Sequence, residues 1–111
     1  MDESRESNLR ILDWVESIGG EYVWEAEVFA ISLEEVEIGD DQARRLGELA
    51  GVQQIALRAD RLSLGTLLAL ASIEGLRSLV LFGATLTEEE RGELARSINE
   101  VRWLELPASR D

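Results

Sequence analysis

The sequence predicts an α/β fold, a right-handed solenoid with a short parallel sheet, helices on one side of it, and an N-terminal cap of helix plus strand. Three observations lead there. The stretches that open at Val28, Val52, Leu76 and Val101 repeat one apolar pattern at spacings of 24, 24 and 25 residues. Within each stretch the apolar period changes from two to three or four, which marks a strand followed by a helix. Capping residues and glycines stand where such elements start and stop.

The N-terminal segment comes first. "SNLRILDWVESIGG" predicts an amphipathic helix with Ser7 as its cap, an apolar side of Ile11, Leu12, Val15 and Ile18, and a stop at Gly19-Gly20. "EYVWEAEVFAISL" predicts a hairpin in which Tyr22–Glu25 folds back on Val28–Leu33, although Ala26-Glu27 is a poor two-residue turn by composition. Helix and strand then cover the end of the first repeat, and Trp14 and Trp24 read as cap packing. The chain divides into a cap at 1–27, repeats at 28–106 and a tail at 107–111, all in one domain.

In the repeats, position four holds Ile31, Ile55, Leu79 and Leu104, and position six holds Leu33, Leu57, Leu81 and Leu106. Residues two apart share one face of a strand. Position eleven holds Ile38, Leu62 and Leu86, and position nineteen holds Leu46, Leu70 and Leu94. Gly39 with Asp40, then Ser63, then Thr87 precede the helices, and Glu90 completes a capping box with Thr87. Gly51 and Gly75 stand at helix ends, where positive φ is common. Small residues at position twenty, Gly47, Ala71 and Ala95, suit closely approaching helices. Strands joined by crossover helices run parallel. The intervening strand positions are mostly small or polar, which favours an open sheet face over a sheet covered on both sides. No unit buries its apolar columns alone, and stacking supplies the continuous core.

The unit openings "VFAISLEEVEI", "VQQIALRADRL", "LRSLVLFGATL" and "VRWLEL" resemble leucine-rich repeats, whose consensus opens "LxxLxLxxNxL". "IGDDQARRLGELAGV" is similar to the bacterial variant of that repeat. The asparagine column is absent, since Val36, Asp60 and Ala84 occupy it, so no asparagine ladder forms. The resemblance implies a protein-binding scaffold.

Composition narrows the chemistry. The formal charge is −12, with 23 acidic and 11 basic residues. Phosphate backbones and anionic membranes are repelled by such a field, so neither nucleic acid nor membrane is an expected partner. Every cation is arginine, and histidine, lysine and cysteine are absent. That removes Schiff-base chemistry, the usual neutral-pH base, thiolate metal ligation and disulfides. No apolar run approaches the roughly 20 residues of a membrane span, and the polar, acidic start is unlike a signal peptide. A cytoplasmic, non-catalytic protein without cofactor or metal is expected. The carboxylates Glu34, Glu35, Glu37, Asp40 and Asp41 lack calcium-loop spacing, and Glu88-Glu89-Glu90 suits a helix start.

The expected partner-binding residues are those of the open face: Gln54, Ala56, Arg58, Ser78, Val80, Phe82, Trp103 and Glu105. The strand at 101–106 has no helix after it, so unless Pro107, Glu100 and Glu105 blunt its edge, that edge is expected to pair with a second copy as a homodimer or with another protein. Two alternatives to a protein-interaction scaffold remain: an acidic inhibitor or immunity-type protein that neutralises a basic target, and a self-assembling structural unit.

Overall fold

The structure is a computed structural model that describes residues 3–25 and 27–106. The expected tail at 107–111 and Ala26 of the expected hairpin turn lie outside the described residues. In chain order the elements are α1 (Glu3–Ser17), β1 (Glu21–Glu25), β2 (Val28–Leu33), α2 (Asp40–Arg45), β3 (Gln54–Arg58), α3 (Leu64–Ala71), β4 (Ser78–Phe82), α4 (Glu88–Ala95) and β5 (Glu100–Leu104). A 3₁₀ turn, Leu46–Glu48, extends α2.

The five strands form one sheet in the order β1-β2-β3-β4-β5. β1 is antiparallel to β2, with Glu25 opposite Val28 and Tyr22 opposite Ile31, as a hairpin requires. The remaining pairs are parallel. The fold is therefore α/β with a mostly parallel sheet.

The aliphatic columns make the core. Ile31, Ile55 and Leu79 stand side by side in register, as do Leu33, Leu57 and Leu81, and all six are buried. Leu46, Leu70 and Leu94 bring the helical layer onto them and are fully buried. The helices touch in chain order: α1 meets the 3₁₀ turn, α2 meets α3, and α3 meets α4. Only Ala71 of the three small residues at position twenty is buried. Gly47 and Ala95 are exposed, so close helix approach does not depend on them.

Caps fix where each helix begins. Ser63 Oγ accepts from the Thr66 amide at 3.3 Å. Thr87 Oγ1 accepts from the Glu90 amide at 3.1 Å, and Glu90 Oε1 accepts from the Thr87 amide at 3.0 Å. At α2 the cap is a glycine, and Gln42 Oε1 accepts from the Gly39 amide at 3.1 Å. Asp40 Oδ1 reaches into the next unit and accepts from the Ser63 amide at 2.9 Å. That bond holds the Asp40 carboxyl below its ordinary range, with help from the Thr66 hydroxyl. Gly51 and Gly75 both adopt positive φ, and their backbones lie against each other at the edge of the fold.

The turn that an asparagine ladder would satisfy is held in other ways. The Ala59 amide donates to Phe82 O and the Gly83 amide to Leu104 O, each at 2.8 Å. The Arg91 guanidinium donates to Ala84 O and Leu86 O, both at 3.3 Å.

Four expectations are corrected. First, α1 starts at Glu3, so Ser7 lies inside the helix and does not cap it. Second, Val28 opens the first repeat as Val52 and Leu76 open the next two, yet it is 51% exposed where they are buried, because β2 puts Phe29, Ile31 and Leu33 on the core side and its alternate residues on the other. Third, the last strand is Glu100–Leu104 and not 101–106. Fourth, its register differs: Val101 stands beside Leu79 and Trp103 beside Leu81. The sequence pattern aligned Leu104 and Leu106 with those leucines. The last spacing is thus three residues shorter than the pattern implied. The third link has no counterpart of Gly51 and Gly75. Asn99 stands there, and no non-glycine residue among those described has positive φ. Without the left-handed turn, the chain re-enters the sheet sooner.

α1 is fixed by more than its apolar side. Asn8 is 3% exposed on α1. Its amide nitrogen donates to Ala50 O at 2.9 Å and its Oδ1 accepts from the Ala50 amide at 3.0 Å. Trp14 lies under the Arg45 guanidinium, 5.1 Å from ring centroid to Cζ, and Trp24 stacks on Phe29 at 4.9 Å. Both tryptophans are partly buried against the core. Gly20 fits where a Cβ would strike Leu33 and lie 2.8 Å from Val15.

Candidate open sheet face

Strand alternation decides which side chains meet on the face opposite the buried columns. Register places Val23, Ala30, Gln54, Ser78 and Glu100 in one row across all five strands. The next row is Glu21, Ser32, Ala56, Val80 and Arg102. A third row is Arg58, Phe82 and Leu104. Six of the expected residues, Gln54, Ala56, Arg58, Ser78, Val80 and Phe82, therefore share one surface.

Trp103 does not belong to it. It pairs in register with Leu81 and so points to the core side, where the Arg91 guanidinium lies 4.8 Å from its ring centroid. The three-residue register difference at β5 is the cause. Glu105 follows the strand and is exposed, lining a hollow at the β5 end with Gly83, Arg91 and Leu106. In place of Trp103, β5 gives the face Glu100, Arg102 and Leu104.

The face has a low floor and raised edges. Ala56 and Ser78 are each 7% exposed, and Val80 and Phe82 are partly exposed. Ser78 Oγ is buried and has no hydrogen-bond partner among the described residues. Val23 and Leu104, at opposite ends, are 46% and 45% exposed. Sequence reasoning passed over Val23, Val28 and Leu104. The alternation of "EYVWE" within the expected hairpin was a sufficient signal for Val23, since it sets Val23 opposite Ala30.

Arg58 is not a free cation. Its Nε donates to Asp60 Oδ1 at 3.2 Å and its Nη2 to Asp60 Oδ2 at 3.0 Å, while Nη1 lies 3.5 Å from Glu37. The two-point bond to Arg58 holds the Asp60 carboxyl below its ordinary range. Arg102 Nε donates to Glu100 Oε2 at 3.0 Å on the same face. Glu37 also meets Arg61 at 3.5 Å, so part of the acidic run balances nearby arginines.

Among the described residues no group of three or more acidic side chains converges as a metal site, and no helix is long and apolar enough to cross a membrane. The face offers apolar area, hydrogen-bonding side chains and fixed charge. No family model matches the chain, and neither a curated protein nor a solved structure does.

Proposed function

We propose that the chain is a short right-handed solenoid, similar to leucine-rich repeats, that serves as a non-catalytic scaffold binding another protein on its open sheet face. Sheet order supports the solenoid. From β2 to β5 each crossover steps to the same side of the sheet. Right-handed crossovers taken always in one direction leave every helix on one face.

One observation carries the binding reading. Among the described residues four large apolar side chains are exposed, and three of them, Val23, Val28 and Leu104, project from this face. Phe82 shares a row with Leu104, and Val80 lies in the row between those of Leu104 and Val23. Exposed apolar area gathered on one surface marks an interaction site more often than scattered residues do. An aromatic anchor among polar neighbours is common at such sites.

Phe82 and Trp103 make the test, because register puts them on opposite faces. The partner is captured from lysate of the source organism and its affinity measured with each variant. Phe82→Ala is expected to weaken binding about tenfold or more while the melting temperature stays close to that of the parent. Trp103→Ala is expected to keep the affinity and to lower stability by about 1–3 kcal/mol, since a partly buried ring is lost. Unchanged affinity with Phe82→Ala would overturn the reading.

A second reading is the expected homodimer, favoured by the outer edge of β5, which no described strand pairs. A second copy laid antiparallel, with Val101 facing Val101, sets each Glu100 opposite the other copy's Arg102. Light scattering at high micromolar concentration is expected to give a dimer mass that Arg102→Glu abolishes and the added Glu100→Arg restores. A monomer mass for the parent chain eliminates this reading.

A further inference from the structure

We infer that the β1–β3 part of the open face receives a lysine or arginine side chain from an extended segment of the partner protein; the inference rests on the open-face reading. A groove of about 190 Å³ runs here, with Val23, Ala30 and Ala56 along it and Glu21 and Glu34 at its rim. Glu21 and Glu34 also line the adjoining hollow beside Gly19 and Glu35.

Three features fit that occupant. The first is charge that the chain leaves unbalanced. Both arginines of the face are committed, Arg58 to Asp60 and Glu37, and Arg102 to Glu100. Glu21, Glu34 and Glu35 form no ion pair with any arginine among the described residues. Glu34 Oε2 only accepts from the Ser32 hydroxyl at 3.0 Å. The second is the order of surfaces. An apolar strip ending in carboxylates suits a side chain with an apolar stem and a cationic head. The third is the chain's charge of −12, which draws cationic segments and repels anionic ones before contact.

The probe is a fluorescent ten-residue peptide of alternating lysine and valine, titrated into the full chain and followed by anisotropy. The parent is expected to bind it, and the Glu21→Gln/Glu34→Gln double variant to bind about tenfold more weakly. Glu16→Gln/Glu93→Gln removes the same charge from exposed helix positions and is expected to leave affinity within about twofold. An equal loss in both double variants overturns the inference, because a diffuse field then explains the binding. So does the absence of binding by the parent at about 1 mM protein, the weak end of measurable affinity. Binding lost with Phe82→Ala but kept with Glu21→Gln/Glu34→Gln overturns the cationic groove and leaves the open face standing. Binding that neither change weakens overturns both.

Discussion

Leu57→Ala is expected to lower the free energy of unfolding by about 2–5 kcal/mol. Leu57 is fully buried, in register with Leu33 on β2 and Leu81 on β4, which are also fully buried. Removal of its side chain leaves a cavity between two neighbours fixed by parallel pairing, so little collapse is available to refill it. The size of the loss follows from the site's rigidity as much as from lost apolar area. In a domain of this length the whole stability is about 5–15 kcal/mol, so the substitution removes a large share. Urea unfolding checks it: the midpoint should fall with no change in slope. Leu104→Ala is the control. That leucine is 45% exposed, so its loss should cost less than about 1 kcal/mol. Equal costs at the two positions would mean that the columns are not the core.

Why Leu57 was readable and Trp103 was not comes down to what repetition encodes. A buried column has the same neighbours in every unit, so Ile31, Ile55 and Leu79 appear as aliphatic residues at one spacing, and their shared burial follows. The same holds for Ser63 and Thr87, whose cap chemistry depends on two or three adjacent residues. Trp103 breaks the rule because its register depends on the length of the preceding link. That length is set by whether the link takes a left-handed turn. With Gly51 and Gly75 it does, and with Asn99 it does not. Pattern matching carried the repeat past the point where the cause of its spacing had ended. The open face was accordingly read well on β3 and β4, where the repeat is regular, and incompletely on β1 and β5.

Charge pairing shows a similar boundary. The excess of acid was plain from composition, but which carboxylates stay unbalanced depends on geometry. Arg58 ends β3 and Asp60 follows two residues on, and their side chains meet there as a two-point pair. Glu21 and Glu34 lie thirteen positions apart in sequence and share one groove because the β1–β2 hairpin folds them together.

Asn8→Ala is expected to cost about 2–4 kcal/mol, although one small polar side chain is all that changes. Nothing in the repeat pattern marks Asn8, which sits among the polar residues "ESRESN" at the start of α1. In the structure it is buried and holds both backbone groups of Ala50, 42 residues away. Ala50 precedes Gly51, where the chain leaves the 3₁₀ turn for β3. Its amide and carbonyl therefore lie outside any helix ladder and depend on the side chain. Truncation leaves both partly buried groups without their partner, at up to about 1–3 kcal/mol for each that water does not reach. Asn8→Asp separates the two bonds. The introduced carboxylate still accepts from the Ala50 amide but sets a charged oxygen against the Ala50 carbonyl in place of a donor. Burial and that carbonyl both favour the neutral acid, so the carboxyl's folded pKa rises above its unfolded value. A raised pKa means that folding favours proton uptake. The variant's deficit relative to the parent should then shrink as pH falls through that folded pKa towards the unfolded one. Urea midpoints between pH 7 and pH 4, with hydrogen exchange at the Ala50 amide, measure both effects. A deficit that stays constant with pH, or an Ala50 amide as protected in Asn8→Ala as in the parent, would show that α1 is held by its apolar side alone.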